Sequence, residues 1–277
     1  MVNYIKVMRL QTLTASLAPV VCAYALASSE GIMKQMHMLF PCIMVAVFIQ
    51  IAVNIFNDII DGKNGVDANR MGDERVSGKT STKVLWGMAF SSLVICLYYS
   101  FTLFYLHPAY IPLGLLSLFF AYGYTGGPYP LAYNGLGEIF VYLFFGLVAF
   151  NGTYYALTNQ LSTSSLFCSS LFGMLSVLII YANNYRDMFG DKVFNKRTIA
   201  VIFEQNAKEI FYFFIIISIL HKLAISIYLK APLIFIICVV GEITLSIALA
   251  KKLNRQKIFK LAILNLVSTA VTFYFII

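Results

Sequence analysis

Long runs of apolar residues, separated by short polar stretches, organise this chain from end to end. A helix that crosses a bilayer needs about 20 mostly apolar residues. On that criterion the pattern predicts nine spans, at approximately 10–28, 38–58, 84–105, 109–125, 136–157, 165–184, 209–228, 232–250 and 258–276. The fourth is short, and only Lys230-Ala231-Pro232 divides the seventh from the eighth. The expected fold class is therefore all-α, a polytopic membrane protein with nine transmembrane helices around a central cavity. No soluble domain fits in what remains, so residues 1–277 read as a single transmembrane domain.

The polar positions test this count. With a cytoplasmic N-terminus, the N-terminus and the even-to-odd loops hold 17 of the 20 lysines and arginines. These are Lys6 and Arg9; Lys63, Arg70, Arg75, Lys79 and Lys83; Arg186, Lys192, Lys196, Arg197 and Lys208; and Lys251, Lys252, Arg255, Lys257 and Lys260. The other face keeps Lys34, Lys222 and Lys230. That asymmetry obeys the positive-inside rule, and losing one span would scramble it. Lys6, Arg9, the first apolar run and Ala25-Leu26-Ala27 also resemble a cleaved signal peptide, but cleavage would remove a span and upset the parity. The net charge of +8 reads as membrane topology plus attraction for anions, and not as nucleic-acid binding.

Carboxylates change the picture from topology to chemistry. The chain is 60% apolar and 12% charged, and all its aspartates fall in two stretches. The first holds Asn54, Asn57, Asp58, Asp61 and Asp67, with Asp73 behind them; the second holds Asn183, Asn184, Asp187 and Asp191. A carboxylate at the centre of a membrane helix costs roughly 2.5–3.5 kcal/mol, so such residues mark function by default. Asn54, Asn57, Asp58 and Asp61 stand at i, i+3, i+4 and i+7, one stripe of a helix. Asn183, Asp187 and Asp191 form a second stripe. Asn57, Asp61 and Gly65 recur as Asn183, Asp187 and Asp191 at an offset of 126 residues. This suggests two parallel four-helix repeats, approximately 10–125 and 136–250, followed by a ninth helix at 258–276. Such repeats would bring the two stripes face to face across a cavity.

Carboxylate and amide oxygens suit Mg2+, which binds through one or two carboxylates, several waters and substrate phosphates. Metal ligands are then expected among Asn57, Asp58, Asp61, Asp67, Asp187 and Asp191, with Asp58, Asp61, Asp187 and Asp191 closest to catalysis. The basic and amide groups Lys63, Lys79, Asn183, Asn184, Arg186, Lys196 and Arg197, with Asn57, have the donors for a diphosphate. If diphosphate leaves an allylic carbon, an apolar cavity lined by aromatic rings would shield the cation that remains. The Gly/Pro-rich turn from Tyr122 to Pro130 carries no lysine or arginine, so it is no phosphate clamp. Tyr124 and Thr125, with Arg9, Asn54 and Asp67, are expected to line the cavity or meet the acceptor. The cysteines Cys22, Cys42, Cys96, Cys168 and Cys238 are scattered singly and read as apolar packers. Lys251–Lys260 reads as a topogenic basic loop.

At these residues the chain resembles the UbiA superfamily of intramembrane prenyltransferases. Within it, the chain resembles the branch that prenylates 1,4-dihydroxy-2-naphthoate in menaquinone biosynthesis. The superfamily's N-x-x-x-D-x-x-x-D reads here as Asn57, Asp61 and then Gly65 in place of the third Asp. The branch pattern N-D-x-x-D-x-x-x-G-x-D is matched by Asn57, Asp58, Asp61, Gly65 and Asp67. Its second motif is matched by Asn183, Asn184, Arg186, Asp187 and Asp191, followed by Lys196, Arg197 and Thr198. Tyr124 to Tyr133, Gly135 to Glu138, and Thr12, Leu13 and Pro19 also look like that branch, although Leu10 stands where a proline is usual. The resemblance covers residues 9 to about 203, and the last three spans add no specificity. It implies a multi-pass protein of the inner (plasma) membrane with its Asp face toward the cytoplasm. It also implies Mg2+-assisted ionisation of a polyprenyl diphosphate and attack by 1,4-dihydroxy-2-naphthoate, with loss of its carboxylate. Other acceptors such as 4-hydroxybenzoate remain open. A transporter with acidic gates is disfavoured because the acids lie on one face. A CDP-alcohol phosphotransferase is disfavoured because Asp61-Gly62 is not followed by its Ala-Arg.

Overall fold

The structure is a computed structural model that describes residues 7–64, 81–230 and 255–277. Every regular element among the described residues is helical. A 3-10 turn, Leu10–Thr12, leads into α1, Leu13–Ser29. Then come α2 (Leu39–Lys63), α3 (Thr82–Leu106) and the short α4 (Tyr110–Gly123). The helix α5 spans Gly137–Thr158, α6 is Thr163–Val193, α7 is Ala207–Tyr228 and α8 is Arg255–Ile276. Seven of the described helices are long and apolar enough to cross a membrane, and α4 is a shorter apolar one. They correspond to the first seven predicted spans and the ninth. The predicted eighth, 232–250, lies outside the described residues, as do Asp67, Lys79 and Cys238.

Two boundaries differ from expectation in a way that matters. The second span was expected to end at 58 and the sixth at 184, but α2 runs to Lys63 and α6 to Val193. Hydropathy stops at the first charges, whereas the helical backbone keeps its bonds wherever the polar side chains find partners inside. Both Asn/Asp stripes therefore sit on rigid helix, not in loops.

The core is built from α1, α5, α6, α7 and α8 around Phe150, Tyr154, Phe172, Tyr181 and Phe211, all fully buried. The pair α2 and α3 packs to one side through Ile51, Ile55, Leu85 and Ala89. On α3, the large apolar side chains Phe90, Val94, Tyr98, Phe101 and Tyr105 are exposed along one stripe. An exposed stripe of that size is a lipid-facing surface. Ser92, Ser100, Ser117 and Ser176 return their hydroxyls to the carbonyl four residues back, which satisfies them without a partner helix.

Close approach of α5 and α6 shapes the interior. The middle of α5, Tyr142–Val148, is π-helical, a wide turn often found at functional sites. A Cβ at Gly146 would lie 2.6 Å from Gly173 Cα and 2.7 Å from the Ser169 carbonyl oxygen. Only glycine admits this crossing, because backbone on the facing helix cannot yield. Gly146→Ala is therefore expected to lower stability by about 1–3 kcal/mol, read as an earlier thermal unfolding transition in detergent. An unchanged transition would mean that the two helices have room to part.

Candidate active site

The segment from Met8 to Thr12 locks onto α2. Arg9 adopts a left-handed backbone conformation, φ 48°, which swings its side chain toward Asp58, its salt-bridge partner. Thr12 closes the turn by donating to the Arg9 carbonyl at 2.9 Å. The Asn54 amide donates to the Thr12 hydroxyl and to the Met8 carbonyl, each at 2.9 Å. Gln50 donates to Asn54 at 3.1 Å, so the polar stripe on α2 begins one turn earlier than expected. Thr125 donates to the Asn57 side chain, which ties the Gly/Pro turn after α4 to the same stripe.

The second stripe is held by its own neighbours. Arg186 grips both oxygens of Asp187, at 2.8 and 2.7 Å, and donates to Asn183 at 2.8 Å. Its guanidinium lies 5.0 Å above the Phe259 ring of α8. Asn184 points elsewhere, donating to Glu138 Oε1 at 3.0 Å, and Glu138 Oε2 is buried with no hydrogen-bond partner. Asn184 thus fastens α6 to the start of α5 and is not among the cavity-lining residues.

A helix cap brings the two stripes together. After α6, Asn195 takes a left-handed conformation, φ 55°. Its amide donates to the Lys192 carbonyl at 3.2 Å, and the Lys196 amide donates to the Asp191 carbonyl at 2.9 Å. This is the double-bonded glycine-type helix end, with Asn in the glycine place. The reversal returns Lys196 toward α2, where its ammonium donates to Asp61 Oδ2 at 3.1 Å. The Arg197 amide donates to the Tyr133 carbonyl at 3.1 Å, and Thr198 caps the short helix Ile199–Ile202. Tyr133 donates its hydroxyl to Asp61 Oδ1 at 2.7 Å. Burial, then the Asp61 charge, pushes the Tyr133 phenol above its ordinary value, and the charge of Asp191 adds to the effect. Tyr133 therefore remains a donor across the physiological range.

Below this polar ceiling lies a cavity of about 280 Å³. Arg9, Gln50, Asn54, Asn57, Tyr124 and Asn183 line its polar part. Phe104, Phe120, Phe140, Phe144, Phe145 and Phe259 supply aromatic walls. Asp58 and Asp61 are buried beside it, each only 3% exposed; Asp191 is buried too, and Lys63 and Arg197 are exposed. The arrangement thus gathers Arg9, Asn54, Asn57, Asp58, Asp61, Tyr124, Thr125, Asn183, Arg186, Asp187 and Lys196 around one region. Lys63, Asn184 and the Arg197 side chain have no such contact among the described residues.

Reading the sequence gave no site role to Gln50, Tyr133, Glu138 or Phe259. Gln50 was readable as the next position of the stripe, four residues before Asn54. Tyr133 and Glu138 entered only through their likeness to the family, and nothing in their spacing gave either a partner. Phe259 fell at the start of the predicted ninth span, 258–276, between Lys257 and Lys260, where nothing marked it as facing a cavity; α8 includes it.

The UbiA prenyltransferase family matches residues 16–268. The chain belongs to this family. It is 32% identical over 206 residues to a 1,4-dihydroxy-2-naphthoate octaprenyltransferase of Haemophilus influenzae, covering 70% of this chain and 66% of that one. It is 35% identical over 197 residues to the Mycobacterium tuberculosis enzyme of the same name, covering 70% and 67%. The chain thus aligns with about two thirds of the length of these relatives. A solved UbiA homologue from Archaeoglobus fulgidus, bound to DMAPP and Mg2+, superposes with a TM-score of 0.65 at 12% identity, covering 98% of this chain and 99% of that one. At that identity the likeness concerns the fold.

The donor set of this UbiA member fits Mg2+ in kind, since every candidate ligand offers oxygen. Among the described residues no three carboxylates stand close enough to form a ready metal cage. Mg2+ needs only one or two carboxylates when phosphate oxygens complete its shell, so the donors suit a metal that arrives with a diphosphate. Asp58, Asp61 and Asp187 each carry a basic side chain in the meantime. Removing one partner of a buried pair costs about 3 kcal/mol or more, because the remaining charge loses its compensation. Arg9→Met should therefore lower the unfolding temperature, and Arg9→Met/Asp58→Asn should recover most of the loss. A double variant no more stable than the single would contradict this pairing.

Proposed function

We propose that this UbiA member transfers a polyprenyl group from polyprenyl diphosphate to 1,4-dihydroxy-2-naphthoate, with decarboxylation, giving demethylmenaquinol. The observation that carries the reading is the meeting of two Asn/Asp helix stripes and three basic side chains above an aromatic, apolar cavity. Asn57, Asp58 and Asp61 on one side and Asp187 and Asp191 on the other would hold Mg2+, which would draw charge off a departing diphosphate; a homologue of the same fold is bound to DMAPP and Mg2+.

The chain's own residues do the rest. Arg9, Arg186 and Lys196 take up phosphate charge as it develops. Phe120, Phe140 and Phe144 keep water from the allylic carbon and favour its positive charge through their ring faces. Tyr124 and Asn54 offer hydrogen bonds at the cavity's polar end, where an electron-rich ring would sit against the cation. The naphthoate acceptor is supported by the names of the relatives. The same reading sets the N-terminus and the Asn/Asp face toward the cytoplasm at the inner (plasma) membrane, supported by the asymmetry of lysines and arginines. It treats the chain as one domain of two four-helix repeats followed by a ninth helix, 258–276.

The test uses purified protein in lipid with Mg2+, a labelled polyprenyl diphosphate, and either 1,4-dihydroxy-2-naphthoate or 4-hydroxybenzoate. A prenylated, decarboxylated naphthoquinol formed only with metal is expected. Product from hydroxybenzoate alone would keep the transferase and discard the acceptor. Asp61→Ala and Asp187→Ala should each abolish turnover in folded protein, and near-normal turnover in both would sink the metal assignment. Arg186→Ala should weaken prenyl diphosphate binding more than acceptor binding, whereas equal losses would remove Arg186 from the phosphate site.

A further inference from the structure

We propose that Phe259 is the positioning residue of Arg186: its ring holds the guanidinium by the face, so that Arg186 keeps its place at the cavity while its edge passes from Asp187 to a phosphate. The proposal rests on the transferase reading above and names, on the last helix, a residue that sets the affinity for prenyl diphosphate. Arg186 is held in two ways. Along its edge, Nε and Nη2 donate to the two oxygens of Asp187 at 2.8 and 2.7 Å, and Nη2 also donates to Asn183 Oδ1 at 2.8 Å. Nη1 makes no hydrogen bond among the described residues. Across its face, the guanidinium carbon lies 5.0 Å from the centroid of the Phe259 ring, within the range at which a cation is drawn to an aromatic face.

The two holds do not compete. A guanidinium donates hydrogen bonds in its own plane and stacks through the flat side of that plane. Its edge can therefore change partners while its face stays on the ring. Arg186 and Asp187 are neighbours on one helix, so their two bonds tie α6 only to itself. The ring is fixed from outside α6, because Ile258, Leu261 and Ala262 beside it are buried in the packing of α8 against α1 and α6. Phe259 and Asn183 both line the cavity. Metal at Asp187 would take over the oxygens that Arg186 now holds. Left with Asn183 alone, the guanidinium would turn about a single bond, and a binding phosphate would have to order it at a cost in side-chain entropy. Stacked on Phe259, it presents Nη1 and the released Nε and Nη2 as a preset fork for phosphate. The ring face that carries Arg186 is closed to an allylic cation, which gives Phe259 a different task from Phe120, Phe140 and Phe144.

The experiment measures binding of an unreactive prenyl thiodiphosphate with Mg2+, by calorimetry on the full chain in lipid nanodiscs. Phenylalanine at 259 is replaced by its mono-, di- and trifluoro forms, which keep the shape of the ring and drain negative charge from its face. Affinity should fall stepwise along the series, by about three- to tenfold in total, while affinity for 1,4-dihydroxy-2-naphthoate stays constant. Equal thiodiphosphate affinity across the series, or an equal fall for both ligands, overturns the proposal. In an Arg186→Met background no cation stands over the ring, so fluorination should have no effect; a stepwise fall that persists there also overturns it. Phe259→Leu should lose affinity to the same extent as the trifluoro ring. Should Phe259→Leu fail to fold, the fluorinated series still decides, because it leaves the packing in place. An unaltered protein that neither binds the thiodiphosphate nor transfers a prenyl group would bring down the transferase reading as well. Binding and transfer without a response to fluorine would bring down this inference only.

Discussion

An ionised carboxylate buried inside a membrane protein is costly unless a positive charge stands at its side, and the ceiling of this site supplies three such pairs. The most consequential of them joins Asp61 of α2 to Lys196 beyond the end of α6. It links two stretches 135 residues apart, and it depends on local features that have no other evident purpose. The left-handed turn at Asn195 aims Lys196 back at α2. The loop after α4 presents Tyr133 to the same carboxylate. The left-handed turn at Arg9 does for Asp58 what Asn195 does for Asp61. Charge compensation thus explains why two strained non-glycine positions flank the site.

The cavity below follows from packing of the opposite kind. Glycine at 146 and at 173 lets α5 and α6 touch backbone to backbone, while the wide turn of Tyr142–Val148 sets Phe144 and Phe145 on the cavity wall. The result is a polar, cation-rich end over an apolar chamber. A diphosphate and a long hydrocarbon have the same two-part character, and the family to which the chain belongs is a family of prenyltransferases.

Much of this was legible in the residues. Apolar runs gave the described spans because length and hydropathy directly reflect bilayer thickness. The stripe Asn54, Asn57, Asp58 and Asp61 was legible because helical spacing is a local property, and the motif ending in Lys196, Arg197 and Thr198 carried its own cap. What escaped was non-local. Nothing in the spacing of Tyr133 says that its hydroxyl meets a carboxylate 72 residues away. Asn184 looked equivalent to Asn183, yet one position turns a helix by about 100°, enough to send it to Glu138 instead of the cavity. Helix ends at Lys63 and Val193 were hidden for a related reason: hydropathy reports charge, whereas a helix ends where its backbone bonds do.

The most direct measurement is a crystal structure with Mn2+ and an unreactive prenyl thiodiphosphate, read by the anomalous scattering of manganese. The account predicts anomalous peaks between the α2 and α6 stripes, within coordination distance of Asp61 and Asp187, with the prenyl chain running into the chamber lined by Phe120, Phe140 and Phe144. Manganese bound away from both stripes, with Arg9, Lys196 and Arg186 still on their carboxylates, would contradict it.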